Sequence, residues 1–404
     1  MDADVIIVGA GLAGLRCAHQ LELSGRRCLL LESSDAVGGR VKSRTVDDAI
    51  IDEGFQLANP AYPEIRAIAL GDDLDWRRFA PVLRYVGSTP TELIDPRYAP
   101  LRALRSLRSC GLSGRDLVGL LRVARSAATP SRSILADDDM PAREGFRRCG
   151  VSEGSLDRLL TPFLSGVVLD DSVDVPWGYV RFLLKSFLKD RPATTPDGLG
   201  QLPRVLAARL ASDIRLSTLV TDVQPTEVRT SQGVFRAPAV VVATDADSAR
   251  RFVPTLPLVA WRSQTTWWWR TPRVEDGAEL RLPRLGGPLT SVLDLASVAP
   301  ERCPRHSLLA AAANGTHGEE MTEGVRETVA RLYDLDSRDL DLVEVTRVEH
   351  ALPVITSVRP RASRWGDIFL AGDYLTTPST QGALRSGYRA ARAVLAATGT
   401  TSRR

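Results

Sequence analysis

The sequence predicts an α/β protein: a mostly parallel sheet with helices, built from discontinuous segments, plus an inserted α+β domain. Three observations predict this fold class. A buried strand runs into a glycine-rich turn and a helix near the start of the chain, a similar strand and helix recur near its other end, and the stretches between them lack that pattern. With 404 residues and 44% hydrophobic content, the chain has material for two or three folding units.

The composition excludes several classes of partner. The chain has 52 Lys and Arg against 49 Asp and Glu, a formal net charge of +3, so we expect no nucleic acid as a partner. Five cysteines at wide spacings, with no C-x-x-C pair, predict neither disulfides nor a metal site. We see no leader and no apolar stretch of about 18 residues, and we therefore expect a cytoplasmic protein. No oligomeric state is predicted.

The first element is typical of dinucleotide binding in a Rossmann-type domain. Residues 4–8 form a short apolar run, as expected for a parallel strand that is buried on both faces. The run continues into a G-x-G-x-x-G motif, made by Gly9, Gly11 and Gly14. Such glycines permit a tight turn, the close approach of a pyrophosphate and tight packing of helix on strand. The helix that begins near Leu12 and Ala13 would offer its free N–H groups to the phosphates.

A second apolar run, at residues 28–31, ends in an acid. Glu32 lies 21 residues after Gly11. A carboxylate at this place accepts hydrogen bonds from ribose hydroxyls and repels a ribose phosphate, so NADP is disfavoured. We assign Ser33, the next residue, to the same part of the site. Strand, glycines, helix, strand and acid together predict a bound dinucleotide.

A further glycine pair indicates which dinucleotide is bound. Residues 32–40 follow the pattern E-x(5)-G-G-R, which ends in Gly38, Gly39 and Arg40. This extension resembles the flavin amine oxidase and phytoene desaturase superfamily, and middle segments of the chain are nearer its desaturase branch. The resemblance implies FAD, with the two glycines offering backbone donors to the pyrophosphate and Arg40 a charge-assisted contact. No cysteine stands where the family attaches flavin covalently, so we expect dissociable FAD.

The C-terminal part resembles the closing motif of the same family. Residues 368–373 are an apolar run that ends in Gly372 and Asp373, followed by a helical pattern. The resemblance implies that Asp373 binds the ribityl hydroxyls. It also implies that N–H groups at the start of the helix face the flavin N1 and C2 carbonyl, namely those of Gln381, Gly382 and Ala383. A helix N-terminus would stabilise the negative charge that reduction places there.

Two middle segments complete the predicted nucleotide domain. Residues 214–220 resemble the strand whose backbone meets the adenine, with Val220 as the contact, and residues 239–244 form a returning strand. The FAD-binding domain is therefore expected from residues 1–75, 196–255 and 345–404. The substrate domain is expected from residues 76–195 and 256–344. Within it, residues 117–128 predict a helix and residues 265–269 a strand.

The sequence favours oxidation of a hydrophobic substrate. The resemblance associates amine oxidation with a strand lysine and with aromatic rings around the amine. Residues 264–269 contain no lysine, and residues 378–380 contain no aromatic side chain. We therefore expect hydride transfer from a largely hydrophobic organic substrate to flavin N5, which desaturates or oxidises it. No acid or base stands out from the sequence, and the catalytic candidates are Lys185, Trp267, Trp269 and Tyr374.

Two other functions stay open from the sequence. One is a flavin amine oxidase that releases hydrogen peroxide, and the other is a non-catalytic lipid- or partner-binding protein on the same fold. The intact phosphate motifs argue against the second. Residues 97–132 carry eight arginines and one acid among leucines, a pattern that fits either a solvated helical face or a peripheral contact with a membrane surface.

Overall fold

The computed structural model describes residues 1–70, 73–134, 140–284 and 286–399. Its strands, numbered in chain order, are β1 (Val5–Val8), β2 (Cys28–Leu31), β3 (Ser43–Val46), β4 (Ala49–Asp52), β5 (Arg77–Arg78), β6 (Val82–Val86), β7 (Thr91–Ile94), β8 (Ala193–Thr194), β9 (Asp213–Arg215), β10 (Val220–Gln224), β11 (Glu227–Thr230), β12 (Gly233–Arg236), β13 (Ala239–Val242), β14 (Trp261–Thr271), β15 (Leu280–Pro283), β16 (Leu289–Asp294), β17 (Ser307–Asn314), β18 (Asp341–Pro353), β19 (Arg364–Trp365) and β20 (Ile368–Leu370).

The helices lie mainly around these strands. In chain order they are α1 (Leu12–Glu22), α2 (Pro63–Ala67), α3 (Pro100–Ser109), α4 (Gly114–Ala127), α5 (Ser131–Ile134), α6 (Ala142–Cys149), α7 (Glu153–Ser155), α8 (Thr161–Val168), α9 (Trp177–Lys189), α10 (Gln201–Ala208), α11 (Ala246–Phe252), α12 (Thr322–Tyr333) and α13 (Thr380–Thr398). Within the described ranges, no helix combines the length and apolar character needed to cross a bilayer.

The first sheet has the predicted parallel core. Its strand order is β19-β20-β13-β1-β2-β9, and only the pairing of β19 with β20 is antiparallel. Val5 pairs with Ala239 on one side and with Cys28 on the other. All four residues of β1 are buried because α1 and α13 cover one face of the sheet, while α11 and the three-stranded sheet β10-β11-β12 cover the other. The predicted fold class is confirmed.

One predicted strand is divided in the structure. Residues 214–220 were expected to form a single strand, but β9 ends at Arg215 and β10 begins at Val220. Between them Ser217 has a left-handed φ of 51°, and its N–H donates to the Ser34 carbonyl at 2.8 Å. This turn directs the chain out of the parallel sheet and into the small antiparallel sheet.

The segments expected to form the substrate domain, called the second domain below, contribute most of a seven-stranded sheet in the order β18-β14-β17-β16-β15-β6-β7, which is antiparallel except between β15 and β6. One face packs on α12 and the other on the hairpin β3–β4. Helices α4, α6, α8 and α9 form a separate apolar cluster. The predicted helix over residues 117–128 corresponds to α4, which ends one residue earlier, and the predicted strand lies within β14. The expected boundary after residue 344 lies inside β18, so this strand carries the chain from one domain into the other.

A buried ion pair joins the end of β4 to the segment before β17. Arg302 Nη2 lies 3.0 Å from Asp52 Oδ2, and neither side chain is exposed to solvent. Arg302 also donates to the Ile50 carbonyl at 3.0 Å and to Thr194 Oγ1 at 2.9 Å. Asp52 accepts the Leu199 N–H at 2.9 Å. Three separated chain segments are thereby held at one point: residues 50–52, residues 194–199 and Arg302.

We predict that Arg302→Met lowers the free energy of unfolding by about 3–5 kcal/mol, because the Asp52 carboxylate is then buried without its counter-charge. Urea unfolding of the purified protein measures the change. Arg305→Met, at a site whose side chain is 79% exposed, is the matched control and should stay within about 0.5 kcal/mol of wild type. Adding Asp52→Asn to Arg302→Met should recover part of the loss. Equal stabilities of Arg302→Met and the control would contradict a structural role for the pair.

Candidate functional site

A cavity of about 780 Å³ lies between the two domains. Part of its wall is the glycine-rich backbone at the start of the chain together with the loop before α13. Another part comes from α8, α9 and strands β14 to β16 of the second domain. The volume is within the range of about 300–1,000 Å³ that is usual for ligand pockets.

The two glycine motifs meet at this cavity. Helix α1 begins after Gly11, which provides no side-chain cap, so the first N–H groups of the helix remain available to a ligand. The Gly38 N–H donates to the Ala10 carbonyl at 2.9 Å, and a Cβ on Gly39 would lie 3.3 Å from the Gly11 Cα. The motifs thus form one wall of backbone with a helix N-terminus at its base.

Close backbone packing sets the position of α1 and α13. A Cβ on Gly14 would lie 2.0 Å from the Gly9 carbonyl oxygen, so Gly14 lies under the turn and does not line the cavity. A Cβ on Gly387 would lie 2.1 Å from the Ala13 carbonyl oxygen, so α13 touches the backbone of α1. As a result both helices present their first turns to the same cavity, through Ala13 and Ala383.

Glu32 is buried at the cavity wall beside Ser33. One carboxylate oxygen accepts the Ala10 N–H at 2.7 Å, and the other accepts the Ser34 N–H at 2.9 Å. These bonds hold the carboxylate against the glycine turn. The second of these oxygens also accepts the Ser34 hydroxyl, so the oxygen bonded to the Ala10 N–H is the one that keeps a lone pair for a hydroxyl donor. Val220, at the start of β10, lines the cavity as well.

Arg40 and Asp373 form an ion pair at the cavity wall. Arg40 Nη2 lies 2.6 Å from Asp373 Oδ1, and Nη1 donates to the Ala351 carbonyl at 2.8 Å. Burial opposes the charge on Arg40, but the negative charge of Asp373 and the hydrogen bond outweigh burial and raise the pKa of the guanidinium. The sequence analysis expected separate ligand contacts for these residues. It missed the pairing because they lie 333 positions apart.

Two of the three backbone donors expected at the start of α13 bond within the chain. The Gly382 N–H donates to Ser379 Oγ at 3.0 Å and the Ala383 N–H to the Ser379 carbonyl at 2.9 Å. The Gln381 side chain accepts the Glu64 N–H at 2.9 Å. Gln381 and Gly382 therefore do not line the cavity, whereas Ala383 does. The N-cap serine, which the sequence interpretation did not consider, accounts for the difference.

The catalytic candidates from the sequence do not reach the cavity wall. Lys185 donates to the Thr129 carbonyl. Trp267 and Trp269 are fully buried on the sheet face that packs on α12. Tyr374 is buried, its hydroxyl has no partner within the described ranges, and burial raises its pKa. The position of these four side chains gives no support to a catalytic role.

Sequence reasoning missed two polar residues of the wall. Gln264 lies on β14 and Tyr62 just before α2, and both are buried side chains that line the cavity. The period-two alternation of a strand was a usable signal for the first, because it puts Gln264 on the face opposite Trp267 and Trp269. No local pattern marks Tyr62.

The thiols lie away from the cavity, and two groups of potential metal ligands occur among the described residues. All five cysteines are free, and none lines the cavity, so a cysteine–flavin bond has no thiol at this site. Two groups of side chains have ligand atoms close enough to share a cation: Asp48, Cys303 and His306, and Asp245, Asp247 and His350. In the second group Asp245 caps α11, and Asp247 accepts the Trp261 indole N–H at 2.8 Å, so these acids have structural roles.

Comparison with known proteins identifies relatives along most of the chain. The family model for flavin-containing amine oxidoreductases matches residues 12–395. A putrescine oxidase of Kocuria rosea is 45% identical over 74 residues, which are 18% of this chain and 15% of that protein. A chloroplastic protoporphyrinogen oxidase of Nicotiana tabacum is 23% identical over 295 residues, covering 63% of this chain and 51% of that protein. The matches thus span about half or less of these curated relatives.

Solved structures share the fold over nearly the whole chain. A putative protoporphyrinogen oxidase from Exiguobacterium sp. 255-15 superposes with a TM-score of 0.71, covering 96% of this chain and 98% of that chain. Its sequence identity is 18%, so the likeness concerns the fold.

We predict that Gly387→Ala lowers the free energy of unfolding by at least about 2 kcal/mol, since the added methyl would overlap the Ala13 carbonyl and push α13 away from α1. Chemical denaturation followed by circular dichroism measures the change. Gly399→Ala is the matched control, because nothing lies within 4 Å of a Cβ at that position. If both variants unfold at the same denaturant concentration, the tight helix contact does not contribute to stability.

Proposed function

We propose that this chain, which belongs to the flavin-containing amine oxidoreductase family, is an FAD-dependent oxidoreductase that oxidises or desaturates a largely hydrophobic organic substrate. The site residues fit the cofactor. An uncapped helix N-terminus faces the cavity, and the glycine backbones there lie so close that a Cβ on Gly39 would fill the gap to Gly11. In this proposal the backbone near Gly11 and Gly38 holds the pyrophosphate, and Glu32 holds the adenosine ribose.

The other cofactor contacts follow from the same cavity wall. Val220 would meet the adenine. The Arg40–Asp373 pair would face the phosphates with its cation and the ribityl hydroxyls with its carboxylate. Bound FAD supplies the electron sink that accepts a hydride from a substrate C–H bond. The protein must then hold that bond in place and keep water away from it.

One observation supports a hydrophobic substrate above all others. Every charged residue that lines the described cavity belongs to the expected FAD-binding segments: Glu32, Arg40, Asp245, Arg251 and Asp373. The wall from the second domain is uncharged and mainly apolar: Phe163, Gly166, Val167, Leu169, Tyr179, Leu183, Phe187, Pro192, Gln264, Leu280, Leu282 and Ser291. Each CH₂ group that leaves water for such a wall contributes about 0.8 kcal/mol to binding.

The wall also bears on amine oxidation. A protonated amine that enters an uncharged chamber loses its hydration without gaining a counter-ion, at a cost of several kcal/mol. The described residues of β14 include no lysine. Since putrescine oxidases are among the relatives, amine oxidation with release of peroxide remains the second candidate, and it is tested directly.

We predict that neutral hydrophobic compounds bleach the flavin of the FAD-loaded protein under anaerobic conditions, whereas primary monoamines and diamines do not. The absorption spectrum of the flavin is the measurement, and dithionite provides the fully reduced reference. In air, the amine panel should release no more peroxide than a sample without protein. Peroxide formed from an amine would support the second candidate instead.

We also propose that the outer surface of α3 and α4 contacts anionic lipid. Leu101, Leu104 and Leu121 are 75%, 52% and 70% exposed on this surface. Exposed arginines lie among them, and four make neither an ion pair nor a side-chain hydrogen bond with the described residues: Arg105, Arg108, Arg115 and Arg125. Apolar tips flanked by unpaired cations fit the headgroup region of an acidic bilayer. The surface is next to the cavity, because Arg97 donates to the carbonyl of Phe187, a residue of the cavity wall, at 2.9 Å.

We predict that the protein co-floats with vesicles of phosphatidylcholine and phosphatidylglycerol but not with phosphatidylcholine alone. The double variant Leu101→Ser with Leu121→Ser should abolish flotation. The double variant Arg105→Ser with Arg108→Ser should reduce the free energy of vesicle binding by about 1 kcal/mol per charge removed. Leu258→Ser removes a leucine that is equally exposed elsewhere and should change nothing. Wild-type protein that stays in the dense fraction with both vesicle types would rule the contact out.

A further inference from the structure

The polar groups of the substrate part of the cavity are few and uncharged. Gln264 is only 6% exposed, and its side chain lines the cavity. Its Oε1 accepts the Phe55 N–H at 3.0 Å. Since only the oxygen of an amide can accept this bond, the NH₂ group is the end left over. Across the described residues Nε2 has no hydrogen-bond partner, so two donors are available in the cavity.

The amide is held in one orientation by its neighbours. A Cβ on Gly54 would lie 3.1 Å from Gln264 Oε1, so the loop after β4 packs tightly against the amide oxygen. The Phe55 N–H is shared between Gln264 Oε1 and Thr266 Oγ1, and the distance from Phe55 N to Thr266 Oγ1 is 2.9 Å. Thr266 lies on the same face of β14 as Gln264. The two acceptors anchor the loop to the strand. They leave the amide NH₂ little freedom to turn away from the cavity.

Tyr62 provides a second uncharged polar group. Its ring lines the cavity, it is 8% exposed, and its hydroxyl has no partner in the described part of the chain. Burial raises its pKa to about 12, so it remains a neutral hydroxyl at ordinary pH. Other polar groups nearby are already engaged. The Tyr179 hydroxyl donates to the Pro378 carbonyl at 2.7 Å, and the amide of Asn59 makes three hydrogen bonds within the protein.

The acids of the cavity are not free to bind a substrate cation. Glu32 accepts two backbone N–H groups, Asp373 is paired with Arg40, and Asp245 accepts the N–H groups of Asp247 and Ser248 at the start of α11. Arg40 is likewise engaged, and Arg251, the other cation of the described cavity wall, belongs to the expected FAD-binding segments and not to the substrate wall. A charged group in this chamber would lose its hydration without a counter-ion, whereas a neutral oxygen would find an amide donor.

We infer that Gln264 is the specificity-determining residue of the chamber, where its amide N–H donates a hydrogen bond to an uncharged oxygen of the hydrophobic substrate, with the Tyr62 hydroxyl as a second partner. The substrate class is therefore a neutral, mainly apolar molecule with a carbonyl, hydroxyl or ether oxygen. This inference rests on the proposed function, because it takes the occupant of the chamber to be the molecule that is oxidised.

Binding of matched probes to the FAD-loaded protein tests the inference without turnover. The probes are octanamide, octylamine and octanoate, which share one chain and differ in the charge of the head group, and isothermal titration calorimetry gives each Kd at neutral pH. Octanamide should bind wild type at least tenfold more tightly than the two charged probes. Gln264→Leu should raise the Kd of octanamide about tenfold, because one neutral hydrogen bond is lost together with its donor. Gln201→Leu, at a partly buried glutamine that does not line the cavity, should have no effect.

Gln264→Glu gives the sharpest test because it keeps the shape and the acceptor for Phe55. It should reverse the order of affinities, so that octylamine binds more tightly than octanamide; a purely structural role for Gln264 would not produce this reversal. FAD content and circular dichroism show whether each variant is folded and loaded.

The outcomes separate the inference from the proposed function. The inference is overturned if wild type and Gln264→Leu bind octanamide with the same affinity, or if Gln264→Glu leaves the order of the three affinities unchanged. Either result would overturn it even if neutral compounds still bleach the flavin. Conversely, amine-dependent peroxide release overturns the proposed function whatever the probes show in binding.

Discussion

The architecture depends on the direct backbone contact between α1 and α13. At Gly387 and Ala13 no side chain separates the two helices, so the first and last long helices of the described chain lie side by side on the parallel sheet. Their first turns then reach one cavity, and Arg40 and Asp373 can pair across it. The second domain is built against this arrangement through the hairpin β3–β4 and the buried Arg302–Asp52 pair. Bulk at the helix contact would therefore disturb the whole cavity.

Short local sequence patterns were enough to predict most of the fold and the family. The glycines after β1, the acid at Glu32 and the pair at Gly38 and Gly39 are short patterns whose conformations follow from neighbouring residues, and the structure brings them to one wall. The predicted fold class, family and FAD cofactor are confirmed. The individual cofactor contacts remain proposals that follow from this placement.

What the sequence could not provide are contacts between distant residues. No local pattern pairs Arg40 with Asp373, and the engagement of the Gly382 N–H by Ser379 required knowledge of where α13 begins. The tryptophan candidates failed for a different reason. A strand alternates its faces, and only the packing of α12 tells which face is turned away from the cavity. The sequence pattern therefore places Gln264 on the face opposite these tryptophans, but it does not tell which of the two faces is turned towards the cavity.

Strand β18 has a mechanical consequence. It runs from Asp341 to Pro353 across the expected domain boundary and pairs with β14 over much of its length. A hinge there would have to break the pairing of β18 with β14, which runs along most of both strands with two register shifts, and the Ala351 carbonyl within β18 is also tied to Arg40. Wide opening of one domain from the other is thereby opposed. Under the proposed function, a hydrophobic substrate would instead enter through small displacements of α8 and α9, which line the cavity, so these displacements, and not domain closure, would govern how fast substrates are exchanged.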